Sequence, residues 1–228
     1  SLVFIAIAIF VTILFTLVSG TEIRKVGNYP ADYFALIFFI ISGVILLASF
    51  QNLLILFLAI EIVTIPSFIL TGAEKRNLKS NEAALKYLLL GSFSTGVMLL
   101  GIALIYGSQG SFDINQMQIG MLKDNKISNL QVAGILTLMF SMAFKSSIAP
   151  FHFWTPDVYD GAPTVFASYM ATVIKVAVFI GFIRLFENAF GNLSSTWVVW
   201  IAILIVATLL IGNITATFQQ SVKRMLAY

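Results

Sequence analysis

Apolar residues in this chain come in runs too long for a soluble fold. Seven stretches approach the roughly 20 mainly apolar residues that a membrane-crossing helix needs. They are Leu2–Ser19, Asp32–Phe50, Leu53–Gly72, Asn81–Tyr106, Leu130–Ile148, Thr164–Phe186 and Thr196–Thr217. The first has no basic start and no small-x-small site, so it reads as a spanning helix and not as a signal peptide. Gln51-Asn52 is a minimal polar turn, and residues 107–129 form the longest polar segment, part of which suits an interfacial helix. The expected fold is therefore all-α, a polytopic transmembrane helix bundle with about seven spanning helices.

One stretch breaks the pattern. Residues 145–163 read KSSIAPFHFWTPDVYDGAP, with a lysine ending an apolar run, Pro150 five residues later, then His152, two aspartates and two more prolines. Lipid-facing helices cannot carry such a sequence, but a helix broken at bilayer depth and lining a protein cavity can. A second irregularity lies in the third run, where Pro66 follows Glu61 by five residues. Pro66 removes a donor and frees the carbonyl of Ile62 beside the glutamate, giving a kink that leaves room for water. The fourth run presents Gly91, Ser92, Ser94, Gly96 and Gly101, a small-residue side suited to close packing.

Composition agrees with the membrane reading. The chain has 228 residues and only 10% are charged, against about 25% in a soluble domain. It contains no cysteine and a single histidine, which leaves no thiolate cluster, bis-histidine haem site or histidine metal site. No dinucleotide or phosphate-binding glycine pattern occurs, and no basic run exceeds two residues, so nucleic acid is not an expected partner. The expected partner is the lipid bilayer, with no catalytic, cofactor-binding or metal site in this chain. The chain begins without methionine and stops soon after Val222-Lys223-Arg224-Met225, which looks like another helix opening. It reads as part of a longer polypeptide. With seven helices, Arg24, Lys25, Lys75, Arg76, Lys79, Lys223 and Arg224 fall on one side, and Lys123, Lys126 and Arg184 on the other. The richer side is expected to be cytoplasmic, which fits a bacterial inner membrane.

Four ionisable residues lie within the expected spans: Glu61, Lys86, Lys145 and Lys175. Unpaired, four central charges would cost about 10–14 kcal/mol on insertion scales. They need partners, water or neutrality. Lys86, five residues into its helix, can snorkel or pair with Glu82 at i,i+4 spacing. Glu61 can serve as a partner for a lysine on another helix. Lys175 lies eleven residues into its run, roughly 16 Å at 1.5 Å per residue, where snorkelling is poor. His152 is read either as a hydrogen-bonded loop residue or as a proton carrier. A lysine placed between burial, which disfavours charge, and a carboxylate, which favours it, gains or loses its proton when the partner moves. Three lysines with one glutamate therefore suggest proton transfer.

Phe144-Lys145, Ala149-Pro150-Phe151-His152, Trp154-Thr155-Pro156-Asp157-Val158-Tyr159 and Gly161-Ala162-Pro163-Thr164 together resemble the antiporter-like membrane subunits of respiratory complex I. Glu61 with Pro66, and Leu85-Lys86-Tyr87 followed by Leu90-Gly91, extend the likeness over residues 52 to 186. Ser146-Ser147 departs from it, standing where more apolar or small residues are expected.

The resemblance implies about fourteen helices with two inverted five-helix repeats, each containing a broken helix. Residues 1–30 would then be a leading helix and loop, 31–186 the first repeat, and 187–228 the start of a second. It also implies proton-transfer roles for Glu61, Lys86, Lys145 and Lys175, with Lys86 beside Glu61 and helix breaks at Pro66 and Pro150. NADH, flavin, iron–sulfur clusters and quinone would belong to other membrane and peripheral subunits, and this chain would carry no redox site. A related cation/proton antiporter or membrane hydrogenase subunit shares the same pattern. A structural bundle without its own proton path is a third reading.

Overall fold

A computed structural model describes residues 2–20, 30–123 and 128–228, with the backbone alone at 120–123. Arg24, Lys25 and Lys126 lie outside the described residues. The helices are α1 (Leu2–Ser19), α2 (Pro30–Ser49), α3 (Leu53–Thr71), α4 (Leu78–Gln109), α5 (Ile114–Lys123), α6 (Asn129–Ser146), α7 (Thr155–Gly161), α8 (Thr164–Ala189), α9 (Ser194–Thr217) and α10 (Val222–Ala227). The fold is all-α and multi-pass. α1, α2, α3, α4, α8 and the segment Gly191–Thr217 are long and apolar enough to cross a membrane. The expected crossing at Leu130–Ile148 is the exception: α6 spans 18 residues, buries one side thoroughly and is continued by α7 beyond a break.

Local chemistry sets the helix ends. Asn52 and Asn77 cap α3 and α4 by accepting the backbone N–H of Leu54 and Lys79 at 2.8 and 3.1 Å. Ser128 and Gln131 close a reciprocal capping box at the start of α6. Gly110 ends α4 with φ 69°, a left-handed residue that costs glycine nothing. The turn after α2 is tied to the segment before α5, with Leu53 N–H on the Phe112 carbonyl and Ile114 N–H on that of Gln51, both at 3.0 Å. Within the polar segment 107–129, part of which is expected to be helical, lies α5, docked beneath the bundle at that end.

α4 acts as a ruler for the broken helix. A Cβ on Gly134 would lie 2.8 Å from Ile105, and one on Gly101 would lie 2.8 Å from Leu138. Only hydrogen fits at these two crossings, so α4 and α6 run antiparallel in close contact. Further along, Ser94 and Ser141 meet at 3.3 Å and Lys145 reaches the Gly91 carbonyl. After the break, Gly161 of α7 packs on Ala83 and the Lys79 carbonyl. α6 and α7 together therefore cover the same depth as α4, and the break sits opposite Gly91. Of the small residues read from α4, Ser94 and Gly101 face this contact, Gly91 packs against Phe68 of α3, and Ser92 and Gly96 are exposed.

The two ends of the bundle differ in charge. Lys79, Lys86, Lys223 and Arg224 gather around the end of α7. Arg184 lies at the opposite end, donating to the Phe50 carbonyl at 2.9 Å. α9 contributes only Leu204 and Gly212 as buried residues, so its other sides face outward.

Candidate functional site

The break is built by ordinary helix-ending rules used in an unusual place. Ser147 takes a left-handed conformation at φ 61°, and Ile148 N–H returns to the Ala143 carbonyl at 2.9 Å. That is the geometry of a helix C-terminus, usually filled by glycine. The Ala149–Pro150 peptide is cis. The Trp154 indole N–H then donates to the Phe144 carbonyl at 3.0 Å, pinning the far side of the break to the near one. Ala149 N–H donates to the Thr208 hydroxyl of α9 at 3.1 Å. α7 restarts with Pro156 in its first turn, where no donor is needed.

Lys145, at the last turn of α6, is 6% exposed. Its Nζ lies 3.1 Å from the Thr95 hydroxyl, 3.4 Å from the Gly91 carbonyl and 3.9 Å from Glu61 Oε1. Thr95 in turn donates to Glu61 Oε1 at 2.8 Å. A hydroxyl that accepts from the ammonium and donates to the carboxylate links the two by a continuous hydrogen-bonded line. Lys145 and Glu61 are close enough to feel each other's charge and too far apart for a full direct hydrogen bond. Such a line can hold a proton towards either end. Pro66, buried in α3, leaves the Ile62 carbonyl beside Glu61 without its helical donor.

Lys86 stands elsewhere. Its ammonium pairs with Glu82 and with Asp157, both at 2.7 Å, and its side chain is 41% exposed. The expected Glu61–Lys86 pair does not form; Glu61 turns to Lys145. Lys86 sits too near the start of α4, in a rim cluster that also contains Arg224, 2.7 Å from Asp157 and 3.4 Å from Asp160. This cluster surrounds a cavity of about 120 Å³.

Lys175 follows a π-helical turn at Met170–Ile174, a local underwinding that often accompanies functional positions. Its ammonium donates to the Ser147 hydroxyl and stands over the rings of Trp154 and Tyr159. Ser147 also bonds Thr155. The serine pair that departs from the family pattern thus contributes Ser147 to Lys175, while Ser146 bonds back to Met142. His152 is half-buried, its ring 5.4 Å from that of Tyr228 and its Nδ1 without a hydrogen-bond partner. It joins none of the hydrogen bonds around Lys145.

Sequence reading missed Thr95, Asp157 and Ser147 as participants. Thr95 lies one turn beyond Gly91, but a mid-span threonine commonly bonds back to its own helix, and here the Gly91 carbonyl, 3.0 Å away, competes with Glu61 for its single proton. Asp157 lies within the motif that was singled out, yet only the fold brings it to Lys86.

Residues 50–228 match the family described as NADH:quinone oxidoreductase/Mrp antiporter, transmembrane. The chain belongs to that family. It is 45% identical over 197 residues to NADH-quinone oxidoreductase subunit N of Cytophaga hutchinsonii, covering 86% of this chain and 42% of the relative. The subunit N of Flavobacterium psychrophilum is 36% identical over 228 residues, covering 100% of this chain and 50% of that one. The chain thus spans about half the length of these relatives. A chain of respiratory complex I from Thermus thermophilus superposes with a TM-score of 0.73 at 34% identity, over 89% of this chain and 42% of that one. A chain of the Mrp complex from Dietzia sp. shares the fold, with a TM-score of 0.81 at 21% identity over 98% and 42% of the two chains. The protein is an antiporter-like, integral multi-pass membrane subunit, and its neighbours of known structure come from multi-subunit membrane complexes.

Proposed function

We propose that this chain is the proton-translocating part of an NADH:quinone oxidoreductase membrane subunit in a bacterial inner membrane. Its relatives named subunit N, at up to 45% identity, favour that complex over the related antiporters. The observation that carries the reading is Lys145, buried at a helix break and joined to Glu61 through Thr95. Cytoplasmic protons reach Lys145 through the first five-helix repeat. Glu61 sets how firmly Lys145 holds its proton, and Lys175, beyond the break, passes it on. Lys86 acts at the rim and not on Glu61. NADH, flavin, iron–sulfur clusters and quinone belong to partner subunits.

The energies are compatible. Moving one charge against about 150 mV costs roughly 3.5 kcal/mol. Separating one partner of a buried ion pair from the other costs about 3–5 kcal/mol. Opening the Glu61–Lys145 contact until the lysine is left without its counter-charge therefore supplies a step of the required size.

Lys145→Ala in the intact complex tests the reading. NADH oxidation and proton uptake into sealed vesicles are recorded in parallel, with assembly checked. Both should fall severalfold or more, since a proton carrier has no substitute at this depth. Wild-type pumping in an assembled variant would leave the break a structural feature only.

A further inference from the structure

Lys175 poses a problem that the other lysines do not. Lys145 has Glu61, and Lys86 has Glu82 and Asp157. Among the described residues, no carboxylate forms an ion pair with Lys175. Something else must hold a cation at this depth, because an ammonium in a low-dielectric setting needs compensation.

The groups around its ammonium are one hydroxyl and two aromatic faces. Nζ lies 4.7 Å from the ring centroid of Trp154 and 5.9 Å from that of Tyr159, both within cation–π range. The two rings are buried, at 3% and 5% exposure, so bulk water does not dilute the attraction. Trp154 is also held rigidly. Its N–H is bonded to the Phe144 carbonyl, and Tyr87 stacks parallel to it at 4.7 Å and 6°. Its electron-rich surface is therefore fixed in place before the cation arrives. Trp154, Tyr159 and Ser147 all come from the break and α7, whereas Lys175 comes from α8.

We propose that Trp154 and Tyr159 form an aromatic half-cage that holds Lys175 in its charged form and so ties the lysine's proton to the position of α7. Trp154 is a positioning residue in this arrangement. The attraction exists only while Lys175 carries its proton. When the proton leaves, the neutral amine keeps only its hydrogen bond to Ser147, and the aromatic rings of the break and α7 loosen their hold on α8 at that point. Arrival and departure of a proton are thereby converted into a small shift of the second half of the broken helix. This inference rests on the proton-transfer reading above for its purpose, but not for its geometry.

Two measurements on the full-length subunit in its complex test it. The first is the ultraviolet resonance Raman spectrum of Trp154, obtained as the difference between the wild type and a variant with Trp154→Phe. Lys175→Gln should shift the indole bands and Lys175→Arg should retain them. Identical indole bands with lysine and with glutamine at 175 would overturn the half-cage. The second places mono-, di- and trifluorinated tryptophan at 154, which preserves shape and the N–H while draining the ring face. Proton uptake should fall in steps with fluorination, towards a limit of about five- to thirtyfold. A flat series overturns the positioning role. Shifted bands in a Lys175→Gln complex that still pumps normally would support the cage while removing Lys175 from the proton route, so the two ideas fail separately.

Discussion

Lys145 and Lys86 project from adjacent helices, and each approaches a carboxylate, yet the two sites are built for different work. At the rim, Lys86 touches Asp157 at 2.7 Å with side chains 41% and 34% exposed, and Arg224 shares the same aspartate. At the break, Lys145 stands 3.9 Å from Glu61 with side-chain exposures of 3% and 20%, and a threonine hydroxyl lies between them. The exposed pair is tight, the buried pair is loose. Water screens the rim contact, so its tightness adds little stability. Burial amplifies the inner contact, so a shift of a few tenths of an ångström there changes the energy more. A close, wet cluster sets where elements meet at little gain in stability, while a largely buried, incompletely bonded pair is poised to change state.

Glu61→Gln should break that comparison hardest. The amide keeps the volume but leaves Lys145 without its counter-charge, and stranding a buried cation costs about 3–5 kcal/mol. Pumping in vesicles should fall by more than tenfold, with a lower unfolding temperature in detergent. If Glu61→Gln pumps as well as Asp157→Asn, the inner pair has no special standing.

Thr95→Val comes next. It preserves shape and removes the hydroxyl between lysine and glutamate, at a cost of about 1–3 kcal/mol for the unsatisfied partners. Proton uptake should drop about tenfold, corresponding to 1.4 kcal/mol, while Thr95→Ser should retain most of it. A valine variant with wild-type uptake would mean that Lys145 and Glu61 communicate without the relay.

These residues also mark where sequence reading succeeds and stops. Long apolar runs announce the spanning helices because the bilayer imposes their length. Lys145 and Pro150 announce the break because neither fits a lipid-facing helix. The i,i+4 spacing of Glu82 and Lys86 gives their pairing directly, and the structure has it. The partner of Glu61 was not legible. Which lysine it meets depends on how α3, α4 and α6 rotate against each other, and that is set by contacts such as Gly101 on Leu138. The broken crossing was also harder to read than its neighbours, since α6 buys its place with buried packing and carries less apolar length.

The rim pair should respond weakly. A double-mutant cycle on Lys86→Ala and Asp157→Asn, read by unfolding temperature, should give a coupling energy of at most about 1 kcal/mol. Because Glu82 remains beside Lys86, losing Asp157 leaves the lysine paired. A larger coupling would show that the rim is shielded in the assembled complex and works more like the inner site.

The smallest effect concerns pH at the same rim. Burial alone would raise the Asp160 carboxyl, but the Ser221 hydroxyl and the charges of Arg224 and Lys79 outweigh it and hold the group below its ordinary value of 3.8. A carboxyl lowered on folding contributes stability above its unfolded value, and the contribution is lost as pH falls through the lower folded value. The contacts of Asp160 with Ser221 and Arg224, which fasten α10 to α7, should therefore be indifferent to pH between 5 and 8. Spin labels at Phe153 and Met225, both exposed, should report one narrow distance over that range and broaden only in stronger acid. Broadening between pH 5 and 7 would point to a group other than Asp160, and His152, whose ring lies against Tyr228 just beyond α10, would be the first to replace.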